Sequence, residues 1–175
     1  MSPTPESLAR HNIDSQLTAC GWMVQDRAQM NLYAGRGVAV REFPLQTGYA
    51  DYLLFVDRKA VGIVEAKAEG MTLSGVAEQV AQYSVGLLPN IPHVTLPLPF
   101  LYESTGVETF FRDERDPQPR SRRVFTFHRP EMLADSIAEK ETIRRRIQTY
   151  PPLNTSGLWK AQTEMLKDVN IVVVK

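Results

Sequence analysis

Residues 48–67 read GYADYLLFVDRKAVGIVEAK, and this stretch decides the fold. Asp51 opens an apolar run, Tyr52 to Val56. Asp57-Arg58-Lys59 interrupts it with turn-like polarity. A second apolar run, Ala60 to Val64, closes on Glu65-Ala66-Lys67. Two such runs around a short polar break predict a β-hairpin. An acid stands at the start of the first strand; an acid and a lysine stand at the end of the second. In an antiparallel pair those two ends lie side by side, so Asp51, Glu65 and Lys67 are expected to converge.

Outward from the hairpin, Gly37 to Phe43 alternates as a preceding strand, with Pro44 to Gly48 as the turn. Further back, Pro5 to Ala19 carries a loose helical stripe of Leu8, Ile13 and Leu17 with Ala9 and Cys20, which Gly21 stops. Trp22 to Val24 is a short apolar piece at the sheet, and Asp26 to Gly37 a loop with one helical turn. Beyond the hairpin, Thr72 to Leu88 has the clearest helical pattern in the chain, ended by Pro89-Asn90. Three prolines between Pro92 and Pro99 suit an extended connection. Phe100 to Tyr102 and Val107 to Phe111 are expected to pair across Ser104 to Gly106. Arg112 to Arg123 reads as a mobile charged loop, Val124 to Phe127 as a last strand, Pro130 to Thr149 as one charged helix, and Leu158 to Val169 as a final short helix. The order predicts an α/β sandwich, a central mixed sheet flanked by helices, with a C-terminal helical extension.

The 175 residues and 43% hydrophobic content suit one domain with an appendage. Twenty basic and twenty acidic residues cancel, so a polyanionic partner would have to meet a local patch. Cys20 is the single cysteine, which excludes an internal disulfide and a cysteine-based zinc cluster. Met1 to Glu6 has no signal-peptide character, and no apolar run approaches the ~18 residues of a membrane helix. A cytoplasmic protein with no membrane contact is expected.

The chemistry lies at the hairpin ends. By strand parity Val61, Ile63, Glu65 and Lys67 share one face, and Gly62, Val64 and Ala66 the other. Both faces start apolar, as in a covered central strand. Glu65 and Lys67 would stand about 7 Å apart along the strand, too far for an intimate pair but suited to reaching a third group. Asp51 and Glu65 offer two carboxylates to a hard divalent cation, Mg²⁺ or Mn²⁺ in its place. Lys67 would position the attacking water or neutralise developing charge. These parts suit metal-dependent phosphodiester hydrolysis. An arbitrary Glu-x-Lys is more often the solvated end of a strand. Here the strand is otherwise apolar, the acid on its neighbour is correctly placed, and Gly48 precedes that acid by three residues.

The aspartate, the Glu-x-Lys and the hairpin between them resemble the PD-(D/E)xK nuclease superfamily, with Ala50 where the motif has proline. Gln79 and Tyr83, four apart and so on one helix face, resemble the Gln-x-x-x-Tyr motif that RecB-like nucleases turn toward their active site. The resemblance implies a restriction-endonuclease-like core in which Asp51, Glu65, Lys67, Gln79 and Tyr83 are catalytic and Asp51 and Glu65 hold metal. Asp14 fits loosely as a further acid and equally as a solvated helical aspartate; Glu42 is open in the same way.

A longer succession covers nearly the whole chain: Arg10, Ile13-Asp14, Leu17, Gly21-Trp22, Arg41-Glu42-Phe43-Pro44, Gly48, Ala50-Asp51-Tyr52, Glu65-Ala66-Lys67, Gln79, Tyr83, Leu98-Pro99-Phe100 and Phe127-His128-Arg129-Pro130. It resembles the N-terminal nuclease domain of the restriction (R) subunit of type I restriction–modification enzymes. That implies a nuclease domain over residues 1–129 and a helical linker over 130–175 leading toward a helicase-type motor, whose start Leu158 to Gln162 resembles. The chain has no Walker A motif, so ATP belongs to the longer enzyme and the chain reads as a fragment. Implied partners are double-stranded DNA, the modification and specificity subunits, and the motor. DNA-holding candidates are Arg112, Arg115, Arg120, Arg122 and Arg123, with Arg144 to Arg146. His93 and His128 read as structural or solvent-facing. Two other readings stay open: a noncatalytic nuclease-fold module that binds DNA or subunits, and a stand-alone nuclease of the resolvase or repair type.

Overall fold

The computed structural model describes residues 5–70, 86–149, 156–162, 164 and 165. Two compact units are present, Met1–Glu139 and Lys140–Lys175. The first contains helix α1 (Pro5–Ala19), strands β1 (Met23–Asp26), β2 (Gly37–Leu45), β3 (Gly48–Val56), β4 (Lys59–Ala66), β5 (Phe100–Ser104), β6 (Thr109–Asp113) and β7 (Arg122–Val124), and helix α2 (Pro130–Ala138). The second contains α3 (Ile143–Gln148). Among the described residues no helix is long and apolar enough to cross a membrane.

The seven strands form one mixed sheet in sequence order. β1 runs parallel to β2, and β4 parallel to β5; the other neighbours are antiparallel. The central strands β3 and β4 are buried almost throughout, and each sheet face carries its own apolar layer. On one face Ile13 and Leu17 of α1 and Leu133 of α2 pack with Tyr52, Leu54, Val64 and Tyr102. On the other, Val38, Val40, Leu53, Phe55, Ile63 and Leu101 pack with Leu87 and Leu98. Leu8, expected in the α1 stripe, is instead exposed.

Asp57 and Arg58 form the hairpin turn, both with positive φ, and Lys59 already pairs with Val56. Positive φ at both central residues is what a two-residue turn needs to follow the twist of the sheet. One residue along, strand parity fails. Phe55 pairs with Ala60 but Leu54 pairs with Gly62, so Val61 is an extra, bulged residue. Val61 therefore joins Val64 and Ala66 in the α1 layer rather than Ile63 in the opposite one, which corrects the expected face assignment. Gly62 is required beside the bulge: a Cβ there would stand 2.2 Å from the Phe100 carbonyl oxygen.

Three other expectations change. β7 is Arg122–Val124 rather than Val124 to Phe127, because Arg122 and Arg123 pair with Phe111 and Phe110. Phe127 leaves the sheet and packs its ring 5.3 Å from Tyr102. The stretch read as a mobile loop is tied down: Asp116 is buried, and Arg115 donates to the Ser136 carbonyl and lies over the Phe100 ring. The single helix from Pro130 to Thr149 is two. Leu133 anchors α2 in the core, residues 139–141 are charged and exposed, and the Thr142 hydroxyl caps α3 by accepting from the Arg145 N–H. The expected helix over Thr72 to Leu88 falls mostly outside the described residues; of the final one, 160–162, 164 and 165 are helical.

Trp22 closes the α1 side. Its ring is buried and its Nε1–H donates to the His128 carbonyl at 2.9 Å. Trp22→Phe keeps much of the apolar volume and loses that bond, so the urea midpoint should fall by an amount equivalent to about 1 kcal/mol.

Candidate functional site

The sheet register assembles the site. Tyr52 pairs with Val64, and the next step along sets Asp51 opposite Glu65. Glu65 pairs with Glu103 on β5. Arg41 pairs with Tyr52 and Phe43 with Ala50, which sets Glu42 opposite Asp51. Four carboxylates on four adjacent strands thus lie in one transverse row. The convergence expected from the hairpin is present, and the row extends it on both sides.

Each acid has a different environment. Asp51 is half-buried; its Oδ2 accepts from the Ala66 N–H at 2.8 Å, and its Oδ1 pairs with the Arg10 guanidinium. Arg10 also holds Glu42 at 3.0 Å. Glu42 is exposed and takes φ of 48°, in the left-handed region that a non-glycine residue rarely occupies. Glu65 is 8% exposed, and Lys67 Nζ lies 3.1 Å from its Oε1. This corrects the expectation that the two stand too far apart. β4 ends at Ala66, the Lys67 N–H still donates to the Ser104 carbonyl at 2.9 Å, and the long side chain turns back to reach Glu65. Glu103 is 3% exposed. Glu65 Oε2 and Glu103 Oε2 are both buried without a hydrogen-bond partner.

Burial, and then the charge of Asp51, pushes the Glu65 carboxyl above its usual range, against the pull of Lys67. Burial pushes Glu103 up to about 7, again opposed by Lys67. A raised carboxyl pKa means the folded state holds a proton that the unfolded chain has released. In metal-free protein the stability tied to Glu103 is therefore full below about pH 4.5 and lost as the pH rises through about 7. Melts of the wild type and Glu103→Gln should coincide at the acid end of this window and separate toward pH 7, the variant melting higher.

Asp14 anchors α1. It accepts from Arg41 through Nε at 3.1 Å and Nη2 at 3.0 Å, and from the Tyr52 hydroxyl at 2.9 Å. Arg41 reaches Asp26 as well, at 2.8 Å. Burial and the Asp14 charge keep the Tyr52 hydroxyl protonated. A cleft of about 630 Å³ adjoins the Asp51 end of the row, lined by Arg10, Arg27, Arg41, Glu42, Asp51 and Tyr52 among others. Glu65 and Lys67 are not in its wall.

Gln79 and Tyr83 lie outside the described residues. Of the late-loop arginines, Arg112 pairs with Glu114, Arg115 with Asp113 at 2.7 Å, Arg122 with Asp116 at 3.4 Å and Arg123 with Glu108 at 3.2 Å. Neighbouring acids thus offset the charge expected to hold DNA. His128 accepts from or donates to the Tyr102 hydroxyl at 2.7 Å and His93 contacts the Ile91 carbonyl, both structural roles. Glu103 and the clamp by Arg10 escaped the sequence reading. Glu103 had a signal: it follows Leu101 on a buried strand as Glu65 follows Ile63.

Among the described residues no three His, Cys, Asp or Glu side chains stand close enough to hold a metal together. Mg²⁺ asks for less, since it keeps several waters and takes one or two carboxylates. The donors here are oxygens alone, and the buried, unpartnered Oε2 of Glu65 is the kind of atom a hard cation satisfies.

Residues 27–96 match the family model described as the second domain of the type I restriction enzyme EcoKI endonuclease subunit. Nearly the whole chain, 97%, aligns with that subunit from Escherichia coli K12 at 25% identity over 221 positions. The chain is similar to type I restriction-enzyme endonuclease (R) subunits. A solved fragment of an HsdR subunit of a type I restriction enzyme from Vibrio vulnificus YJ016 superposes with a TM-score of 0.55 over 79% of this chain, at 18% identity; that likeness concerns the fold. The chain spans 19% of the Escherichia coli subunit and 26% of the Vibrio chain.

Proposed function

We propose that the chain is the DNA endonuclease domain of a type I restriction enzyme R subunit, with a PD-(D/E)xK core and a Mg²⁺-dependent phosphodiesterase site. The convergence of Asp51, Glu65 and Lys67 at the ends of β3 and β4 carries this reading. Asp51 and Glu65 would hold the cation, which supplies Lewis-acid polarisation of a phosphate and a more acidic bound water. The Ala66 N–H fixes the Asp51 carboxylate. Lys67, held by Glu65, offers an ammonium to the charge that develops on a phosphate. Gln79 and Tyr83 join this proposal on their Gln-x-x-x-Tyr spacing alone. Double-stranded DNA is the substrate. The modification and specificity subunits and an ATP-driven motor elsewhere in the enzyme are the partners, in the cytoplasm.

The test is nicking of supercoiled plasmid by the 175-residue chain with Mg²⁺ or Mn²⁺ against a chelator, alongside calorimetric titration with Mn²⁺. Cation uptake with cation-dependent nicking is the expected result; no uptake and no nicking would overturn the reading. One observation favours a second reading. Arg10 already neutralises Asp51, as in a noncatalytic module that has lost its cation. Absence of Mn²⁺ uptake with DNA binding retained would select it.

A further inference from the structure

We propose that Glu103 is a third acidic residue of the cation site, holding the cation's water shell from β5. This inference rests on the nuclease reading above and adds a residue to it. Three observations carry it. Glu103 is the register partner of Glu65 on the adjacent parallel strand, so the two side chains emerge side by side on one face. That face is fixed by their neighbours, because Ile63 and Leu101 pack together in the same apolar layer. Glu103 is 3% exposed, and its Oε2 is buried with no hydrogen-bond partner, as is Oε2 of Glu65.

Two adjacent buried carboxylates with an orphaned oxygen each are a costly arrangement unless something compensates them. Lys67 satisfies Glu65 Oε1 and stands near enough to act on Glu103. One ammonium leaves both Oε2 atoms unsatisfied. A structural acid would be expected to have a donor of its own, as Asp14 has Arg41 and Tyr52 and Asp116 has Arg122. A hydrated divalent cation brings both the charge and the water donors that these oxygens lack. Carboxylates that orient a metal's ligands and waters in this way contribute strongly to affinity.

The experiment is Mn²⁺ titration by calorimetry on the 175-residue chain and its Glu65→Gln, Glu103→Gln and Glu103→Asp variants, with thermal melts with and without Mn²⁺. Glu103→Gln is expected to weaken Mn²⁺ binding by about ten- to a hundredfold, and Glu103→Asp to recover part of it. The metal-free Tm of Glu103→Gln should rise, while its Tm gain on adding Mn²⁺ should shrink. A structural role, or a proton shared between Glu65 and Glu103, would move the metal-free Tm alone. If the wild type binds Mn²⁺, Glu65→Gln abolishes binding and Glu103→Gln binds within twofold of wild type, this inference falls and the nuclease reading stands. If the wild type takes up no Mn²⁺, both fall.

Discussion

Glu65→Gln is expected to reduce cation-dependent nicking by on the order of 10²–10³-fold, the usual loss for one preorganised electrostatic group. The fold should survive. Gln preserves volume, and the group removed is a buried carboxylate with an unpartnered oxygen and a pKa already raised by burial. Calorimetry should show Mn²⁺ uptake lost with the activity. Lys67→Ala should lose cutting to a similar degree but keep Mn²⁺ uptake, because an ammonium binds no cation. That separation distinguishes a cation-holding acid from a charge-stabilising base. Glu69→Ala, two residues further on and exposed, should cut like the wild type. Equal cutting by the wild type, Glu65→Gln and Lys67→Ala would sink the proposal.

Gly62→Ala should have the largest effect on stability. The added Cβ would lie 2.2 Å from the Phe100 carbonyl oxygen and 2.9 Å from its Cβ. Neither atom sits at the end of a flexible side chain, so β4 and β5 must part. Overpacking of this kind costs about 3 kcal/mol, a fall in Tm of about 6–12 °C for a chain of this size. The same two strands pair Glu65 with Glu103, so Mn²⁺ affinity should fall with the melting temperature. A Tm within about 2 °C of wild type would show that the sheet yields there without cost.

The hairpin, α1 and β5 were legible because each is an apolar run or stripe bounded by polar residues and glycine. Asp51 and Glu65 could be placed because an antiparallel pair joins the start of one strand to the end of the next. What stayed hidden depended on partners distant in sequence or on one residue of phase. Parity counting cannot register the extra Val61, since nothing in Ala60-Val61-Gly62 marks which residue steps out of the ladder. The contact of Lys67 with Glu65 depends on how the long lysine side chain folds back, which strand spacing alone does not give. Arg122 and Arg123 look like loop residues until Phe110 and Phe111 give them a ladder. Glu103 received no reading in the sequence, just past the strand expected over Phe100 to Tyr102, because its meaning comes from Glu65, 38 residues earlier in the chain. The break after Ala138 follows from where the core ends, which the charge pattern alone does not mark.

The bulge at Val61 has a consequence for how this hairpin tolerates change in length. In an unbroken alternation from Ala60, Glu65 would turn to the α1 face, out of the layer that holds Ile63 and Leu101. The extra residue absorbs that half-period, so Val61 works as slack between the turn and the acids. A chain shortened by that one residue would restore regular alternation and still bring Glu65 opposite Asp51. A deletion at 63 or 64, past the slack, would shift Glu65 by one position against β3 and β5 together. The tip of the hairpin can therefore vary by one residue in evolution or engineering, while the segment from Gly62 to Lys67 has its length fixed by both neighbouring strands.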